Sequence, residues 1–388
     1  QYIGDNGRYA MTIGGGKVFT VYDFLPNGNN LRYIRQQAGA VADLDEGSRM
    51  AAMSIKGQCT VLWSVGRGSG ENEVLRGGMF LTAPTYCAGR LYAVVHCLES
   101  YVLVCLDAET GKLIWRCPIA QAPAMVGGMS YQLGAEARLA IGSPPAVADG
   151  RVYVTTNAGA LAAMDAETGE PIWGYQYDSR INVSSERSMQ GFYPGRMAVW
   201  MPGNPLIVSR GLVVCLPADS DSVLALDAET GQPKWSKSRR NQFDLTAIDA
   251  DRILLSGEGL LVYRISDGSQ LNADPPGAPR ADGKDLGDMD IFGRPAVSKR
   301  RVLASSLGKI YSMDLKTYAI STMELAKASG MLGNLVSVDG KLMASSMLGV
   351  CGYFGYDLAH TELTRRIEQS PPEMRVGLLL QRAQLAFD

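Results

Sequence analysis

Three stretches of this chain align without a gap: Asp107-Ala-Glu-Thr-Gly-Lys-Leu-Ile-Trp115, Asp165-Ala-Glu-Thr-Gly-Glu-Pro-Ile-Trp173 and Asp227-Ala-Glu-Thr-Gly-Gln-Pro-Lys-Trp235. Each follows an apolar run (YVLVCL, GALAAM, SVLAL) and, before that, a short Gly/Arg element: Gly89-Arg-Leu-Tyr, Gly150-Arg-Val-Tyr and Arg210-Gly-Leu-Val. Repetition at this spacing constrains the fold more than composition does, because each unit must bury its apolar faces against copies of itself. Period-2 runs of β-branched and aromatic residues are strands, and DAETG between two of them is a tight connection. Asp107, Asp165 and Asp227, with Thr110, Thr168 and Thr230, can hydrogen-bond the turning backbone. Gly111, Gly169 and Gly231 tolerate the positive φ that ends such a turn. Trp115, Trp173 and Trp235 present a large apolar face at a fixed place in each unit, which predicts a blade-to-blade staple rather than a catalytic group.

Weaker copies extend the series. Gly259-Leu-Leu-Val-Tyr-Arg-Ile-Ser-Asp-Gly268 keeps the Gly and loses the Trp; Lys309-Ile-Tyr-Ser-Met-Asp314-Leu-Lys-Thr317 keeps Asp and Thr with Tyr318 for Gly; Asp339-Gly-Lys-Leu-Met-Ala opens a further unit with its turn expected near Asp357. Upstream, Gly15-Gly-Lys-Val-Phe opens a unit whose turn is expected at Asp43-Leu-Asp-Glu-Gly47. Seven units spaced about 40 to 60 residues apart predict an all-β fold, a β-propeller of four-stranded blades. An eighth blade completed by residues beyond either end is the alternative. The expected organisation is a propeller over 1–357 and a helical tail, or the start of a helical extension, over 358–388. There Ser370-Pro-Pro-Glu373 reads as a capping box, and Val376, Leu379, Leu380, Ala383 and Phe387 recur at helical spacing as an apolar stripe that needs a partner surface.

With 37 basic and 39 acidic residues the net charge is −2, too balanced for sequence-independent nucleic-acid affinity. No run of about 18 apolar residues predicts a spanning helix. Gln1 opens the chain without an initiator Met or a leader-like segment, so the chain reads as a mature or excised fragment. Seven Cys make an odd count with no CxxC, no adjacent pair and no CxxCH, so at least one thiol is expected unpaired; Cys105 and Cys215 read as small buried hydrophobes.

The A-x-D-A-x-T-G-x-x-x-W repeat resembles that of the pyrroloquinoline-quinone (PQQ) propeller superfamily, which includes quinoprotein alcohol dehydrogenases and non-enzymatic envelope scaffolds. The resemblance covers nearly the whole chain. The quinoprotein branch would imply PQQ with Ca²⁺ at the propeller axis, a catalytic Asp, a stacking Trp and usually a disulfide between adjacent cysteines. This chain has no Cys-Cys pair, only His96 and His360, and no Asp outside the structural turns that matches the family's catalytic Asp. No catalytic residue, no metal site and no cofactor are therefore expected. PQQ- and Ca²⁺-dependent dehydrogenase activity is the alternative to a non-catalytic scaffold.

Insertions at 116–143, 174–204 and 272–292 follow the last strand of a blade, and 22–40 falls between inner strands of the first. In a propeller such connections gather on one face, the expected binding surface. Its candidate contact residues are Tyr131, Tyr177, Arg180, Arg187, Phe192, Tyr193, Arg196 and Trp200, with Tyr175 beside them, a mixture of aromatic and Arg side chains that suits protein or glycan contact. Asp282-Gly-Lys-Asp285-Leu-Gly-Asp288-Met-Asp290 lacks the spacing of a Ca²⁺ loop and reads as a solvated loop. Arg239-Arg240 and Lys299-Arg300-Arg301 read as solvated turns. The expected function is a scaffold for a protein partner, or for a polymer or glycan, in a larger assembly, with peripheral association to an envelope complex. The periplasmic or other extracytoplasmic location follows from the resemblance alone.

Overall fold

The computed structural model describes residues 11–25, 47–57, 59–66, 75, 78–97, 100–121, 142–179, 203–240, 242–272, 291, 293–306, 308–324, 332–338, 341–346, 349–354 and 356–385. The chain divides into two compact units, Gln1–Pro275 and Pro276–Asp388, and folds as a seven-bladed β-propeller followed by two short helices.

The first unit carries five blades. The first is β1 (Met11–Gly14), β2 (Lys17–Leu25), β3 (Gly47–Ser54) and β4 (Val61–Gly66); the second is β5 (Met79–Phe80), β6 (Thr85–Cys87), β7 (Arg90–Cys97), β8 (Ser100–Asp107) and β9 (Leu113–Gln121), its inner strand split into two pieces that both pair with β7. The third is β10 (Ala146–Ala148), β11 (Arg151–Thr155), β12 (Ala160–Asp165) and β13 (Pro171–Gln176), and the fourth β14 (Ile207–Ser209), β15 (Leu212–Cys215), β16 (Ser222–Asp227) and β17 (Pro233–Ser238). The fifth has β18 (Gln242–Ala247), β19 (Arg252–Gly257) and β20 (Gly259–Arg264). Along β20, among the described residues, Asn272 accepts from the Val262 amide and donates to the Leu260 carbonyl, both at 2.8 Å.

Every blade is an antiparallel meander, and the sequence dictates its inner hairpin. Asp149 and Gly150, and likewise Ala88 with Gly89 and Arg210 with Gly211, all have positive φ. Two consecutive left-handed residues give the turn whose twist matches the flanking strands. The core lies between consecutive blades: Val104 and Leu106 pack with Phe19 and Ala52 between the first and second, while Tyr153 and Ala163 pack with Val213 and Leu226 between the third and fourth. Cys105 is buried between the second and third blades and Cys215 between the third and fourth.

The second unit holds a four-stranded blade, β21 (Ala296–Val297), β22 (Arg301–Ser306), β23 (Lys309–Asp314) and β24 (Ile320–Glu324), and a three-stranded one, β25 (Leu335–Val338), β26 (Lys341–Ser346) and β27 (Gly349–Phe354). Helices α1 (Tyr356–Gln369) and α2 (Pro372–Leu385) follow. The turn expected near Asp357 does not form, because the chain enters α1 at Tyr356 directly after β27. Arg382 of α2 donates to Thr364 of α1 at 3.3 Å. Val376, Leu379 and Leu380 of the predicted stripe are exposed, and Phe387 lies outside the described residues.

The register corrects one expectation in the first blade. Arg90 pairs with Asp107, Arg151 with Asp165 and Leu212 with Asp227; the equivalent pair is Lys17 with Ser54. The outer turn therefore follows Ser54, whereas Asp43–Gly47 leads into β3 from the connection between β2 and β3. Ser54 stands in for the motif Asp, its hydroxyl accepting from the Lys56 amide at 3.2 Å.

Candidate protein interaction face

In an antiparallel four-strand meander the first and third connections lie at one end of the blade, and the second connection and the link to the next blade lie at the other. The first end carries the DAETG turns. Segments 26–46, between β2 and β3, and 122–141 and 180–202, between blades, all leave from the second end. Residues 116–121 and 174–176 continue β9 and β13, so these two insertions begin later than the sequence suggests.

On the turn face each motif residue has one task. Asp107 Oδ1 accepts from the Thr110 amide (2.8 Å) and the Thr110 hydroxyl (2.7 Å), and Asp165 with Thr168 and Asp227 with Thr230 repeat the arrangement. Donors aimed at the charged form lower its pKa. Bonds from Thr230, through its amide and then its hydroxyl, bring Asp227 down to about 2; Asp107 and Asp165 are lowered by the equivalent Thr110 and Thr168 bonds. Each indole N–H donates to a carbonyl of the following blade: Trp115 to Ala166 (3.4 Å), Trp173 to Ala228 (3.1 Å) and Trp235 to Ile265 (2.7 Å). The ring sits on the next blade's turn glycine, and a Cβ at Gly169 or Gly231 would fall 2.6 Å from it. The glycine thus satisfies a positive φ and leaves room for the preceding Trp. Trp63, which the sequence reading missed, does the same toward Gly111 and donates to Ala108 at 3.2 Å. The recurrence of Trp at 63, 115, 173 and 235 is the signal that could have found it.

The insertion face is underlain by buried polar side chains. Asp219, on the connection between β15 and β16, is 6 % exposed; it accepts from Tyr177 Oη at 2.8 Å and from the Gly159 amide at 2.9 Å. Asn157 donates to Ser143 Oγ at 3.2 Å and accepts from the Ala218 amide at 3.0 Å. Arg239 is 1 % exposed, which corrects its expected place on a solvated turn: its guanidinium donates to the carbonyls of Pro217 (3.0 Å), Ser220 (2.9 Å) and Gln242 (3.0 Å). Backbone carbonyls that have lost water accept the buried cation's donors. Gln242 carries the belt onward to the Glu258 carbonyl at 2.9 Å. Burial pushes Asp219 up despite its donors, and burial with the nearby Asp219 charge raises Tyr177 and brings Tyr101 to about 12. His96, whose ring centroid lies 5.3 Å from that of Tyr101, is lowered by burial.

Of the candidate contact residues, Tyr177 is placed inside, 6 % exposed, because its hydroxyl reaches the buried Asp219; Tyr175 packs in the same layer. Tyr131, Arg180, Arg187, Phe192, Tyr193, Arg196 and Trp200 lie outside the described residues, as does the 282–290 stretch. Among the described residues no three His, Cys, Asp or Glu side chains could gather round a metal ion, and Asp219 already has the partners named above. No helix among the described residues is long and apolar enough to cross a membrane.

The fold and its repeat define a PQQ-like propeller. A family model described as "Outer membrane protein assembly factor BamB" matches residues 102–347, more than half of the chain, and the chain belongs to that family. Among curated relatives, an outer membrane protein assembly factor BamB of Vibrio cholerae is 25% identical over 160 residues, covering 41% of this chain and 35% of the relative. A polyvinylalcohol dehydrogenase of a Sphingopyxis species is 28% identical over 163 residues, 34% of this chain and 22% of the relative. The chain thus matches no more than about a third of either relative's length. The crystal structure of BamB from Moraxella catarrhalis superposes with a TM-score of 0.50 at 17% identity, covering 78% of each chain, a likeness of fold.

Proposed function

We propose that this chain is a non-catalytic propeller scaffold that binds a protein partner through its insertion face, as part of an extracytoplasmic assembly of the kind an outer membrane protein assembly factor serves. The observation that carries this reading is the division of labour between the two faces of the first unit. The turn face is consumed by its own structure, each Asp, Thr, Gly and Trp of the motif being engaged within the blades. The insertions, whose sequence carries Arg and aromatic residues, leave from the opposite face, where the described residues form a buried polar belt. Family membership supports the same reading.

The test is affinity isolation of the native chain beside a variant in which 183–199 is replaced by a Gly/Ser linker, with mass spectrometry of co-purifying chains and small molecules. A stoichiometric protein that the variant loses, at unchanged melting temperature, is the expected result. Stoichiometric PQQ with alcohol-dependent dye reduction would overturn the scaffold and favour the dehydrogenase branch, to which the polyvinylalcohol dehydrogenase relative points.

A further inference from the structure

We propose that Asp219 is a positioning residue for the insertion face: it locks a common root from which segments 122–141 and 180–202 both leave the blades, so that contacts made through either depend on it. The inference rests on the reading of that face as a recognition surface. Three of the four insertion ends meet at this place. Gly142 and Ser143 are the first described residues after 122–141, Tyr177 and Ser179 are among the last before 180–202, and Gly203 is the first after it. Gly203 lies directly against Gly142, since a Cβ there would fall 1.6 Å from the Gly142 carbonyl oxygen; only glycine permits this backbone contact. Ser143 is tied through Asn157 to the Ala218 amide, next to Asp219. Tyr177 donates to one Asp219 oxygen, Gly159 to the other, and the Ser179 side chain also hydrogen-bonds this carboxylate.

A carboxylate suits this place because donors from separate segments converge on it, and its two oxygens offer about four acceptor sites. Its own loop is held from beneath: the Arg239 guanidinium binds the Pro217 and Ser220 carbonyls on either side of Asp219. The carboxylate is thus a fixed point contributed by the fourth blade, and the chain segments that carry the insertions are fastened to it. Nothing in this arrangement gives Asp219 direct contact with a partner; it acts through the segments it holds.

The test is hydrogen exchange read by mass spectrometry on the full chain, comparing wild type with Asp219→Ala and Asp219→Asn. In Asp219→Ala, peptides covering 142–146, 157–160, 177–179 and 203–206 should exchange together, about tenfold faster, because local opening replaces a locked root. Peptides covering the turns 107–111 and 165–169 on the opposite face should stay at the wild-type rate. Asp219→Asn, which retains one acceptor and the same shape, should fall between, and it decides the matter should the Ala variant fail to fold. A change confined to 216–221, or an equal acceleration of the turn peptides, would overturn the proposal. The measurement needs no partner, so its failure is separable from a failure of the recognition reading.

Discussion

The two faces of the first unit are made by the same strands and held by opposite means. On the turn face the carboxylates of Asp107, Asp165 and Asp227 are partly exposed, bonded to residues two or three positions along, and lowered in pKa by those bonds. On the insertion face the Asp219 carboxylate is buried, bonded to residues of another blade, and raised by burial. One face is a local device repeated; the other is a single long-range device. Repetition serves stacking, which every blade needs, whereas a site that must differ from blade to blade is built from residues outside the repeat.

The largest effects should come from the stacking side. Trp173→Ala removes a ring seated on Gly231 and an N–H bonded to the Ala228 carbonyl, and should cost about 3 kcal/mol, at the lower end for aromatic truncation because the ring is only partly buried. A urea midpoint unchanged within error would show that the blades are not held by this staple. Asp219→Ala comes next. It leaves the Gly159 amide and the Tyr177 hydroxyl without their carboxylate acceptor, and unmet buried donors should lower stability by about 2 kcal/mol. If Asp219→Ala proves more costly than Trp173→Ala, the insertion face is the stronger joint and the comparison inverts. Thr230→Val should be mild, about 0.5 kcal/mol, since it removes exposed bonds to Asp227 and the Gln232 amide while keeping the shape. The same denaturation series measures all three.

What the sequence disclosed follows the same division. The turn face was legible because its interactions are local: Asp, Thr and Gly act within a few residues, and Trp recurs at a constant offset from them. It failed where the local signature decayed, as at Trp63, whose own turn has Ser54 in place of Asp, no Thr three residues on, and one more residue before the Trp. The helix that follows β27 was equally hidden, since Asp339-Gly-Lys opens that blade like the others and the departure lies in the helix-forming residues from Tyr356 onward. The insertion face was legible only as a place. Loop lengths located it, but Arg239 reads as a surface charge until the carbonyls of Pro217 and Ser220 are brought round it. Tyr177 reads as an exposed aromatic until Asp219 is found beneath it. Such pairings join residues far apart in the chain, and no local pattern encodes them.

The smallest expected effect is a pH dependence, and it separates the two faces by sign. The turn carboxylates have folded pKa values below the ordinary Asp value of about 3.9. Their stabilisation is therefore present above about pH 4 and lost as pH falls through the folded values, about 2 for Asp227. Asp219 is raised, so the folded state takes up its proton at a higher pH than the unfolded chain does, and acidification through that folded value adds stability. His96 works against this in an overlapping window: its folded pKa is lowered, so the unfolded chain protonates first and stability is lost as pH falls below about 6.5. Comparing urea midpoints of wild type and Asp219→Asn cancels both His96 and the turn aspartates, because the variant retains them. The difference should move in favour of wild type as pH falls from about 7 to about 4 and then level off, since below the unfolded value both states carry the proton. A difference that stays constant from pH 7 to 4 and changes only below it would mean that Asp219 titrates like the turn carboxylates, and that the contrast between a buried and an exposed use of aspartate on these two faces is wrong.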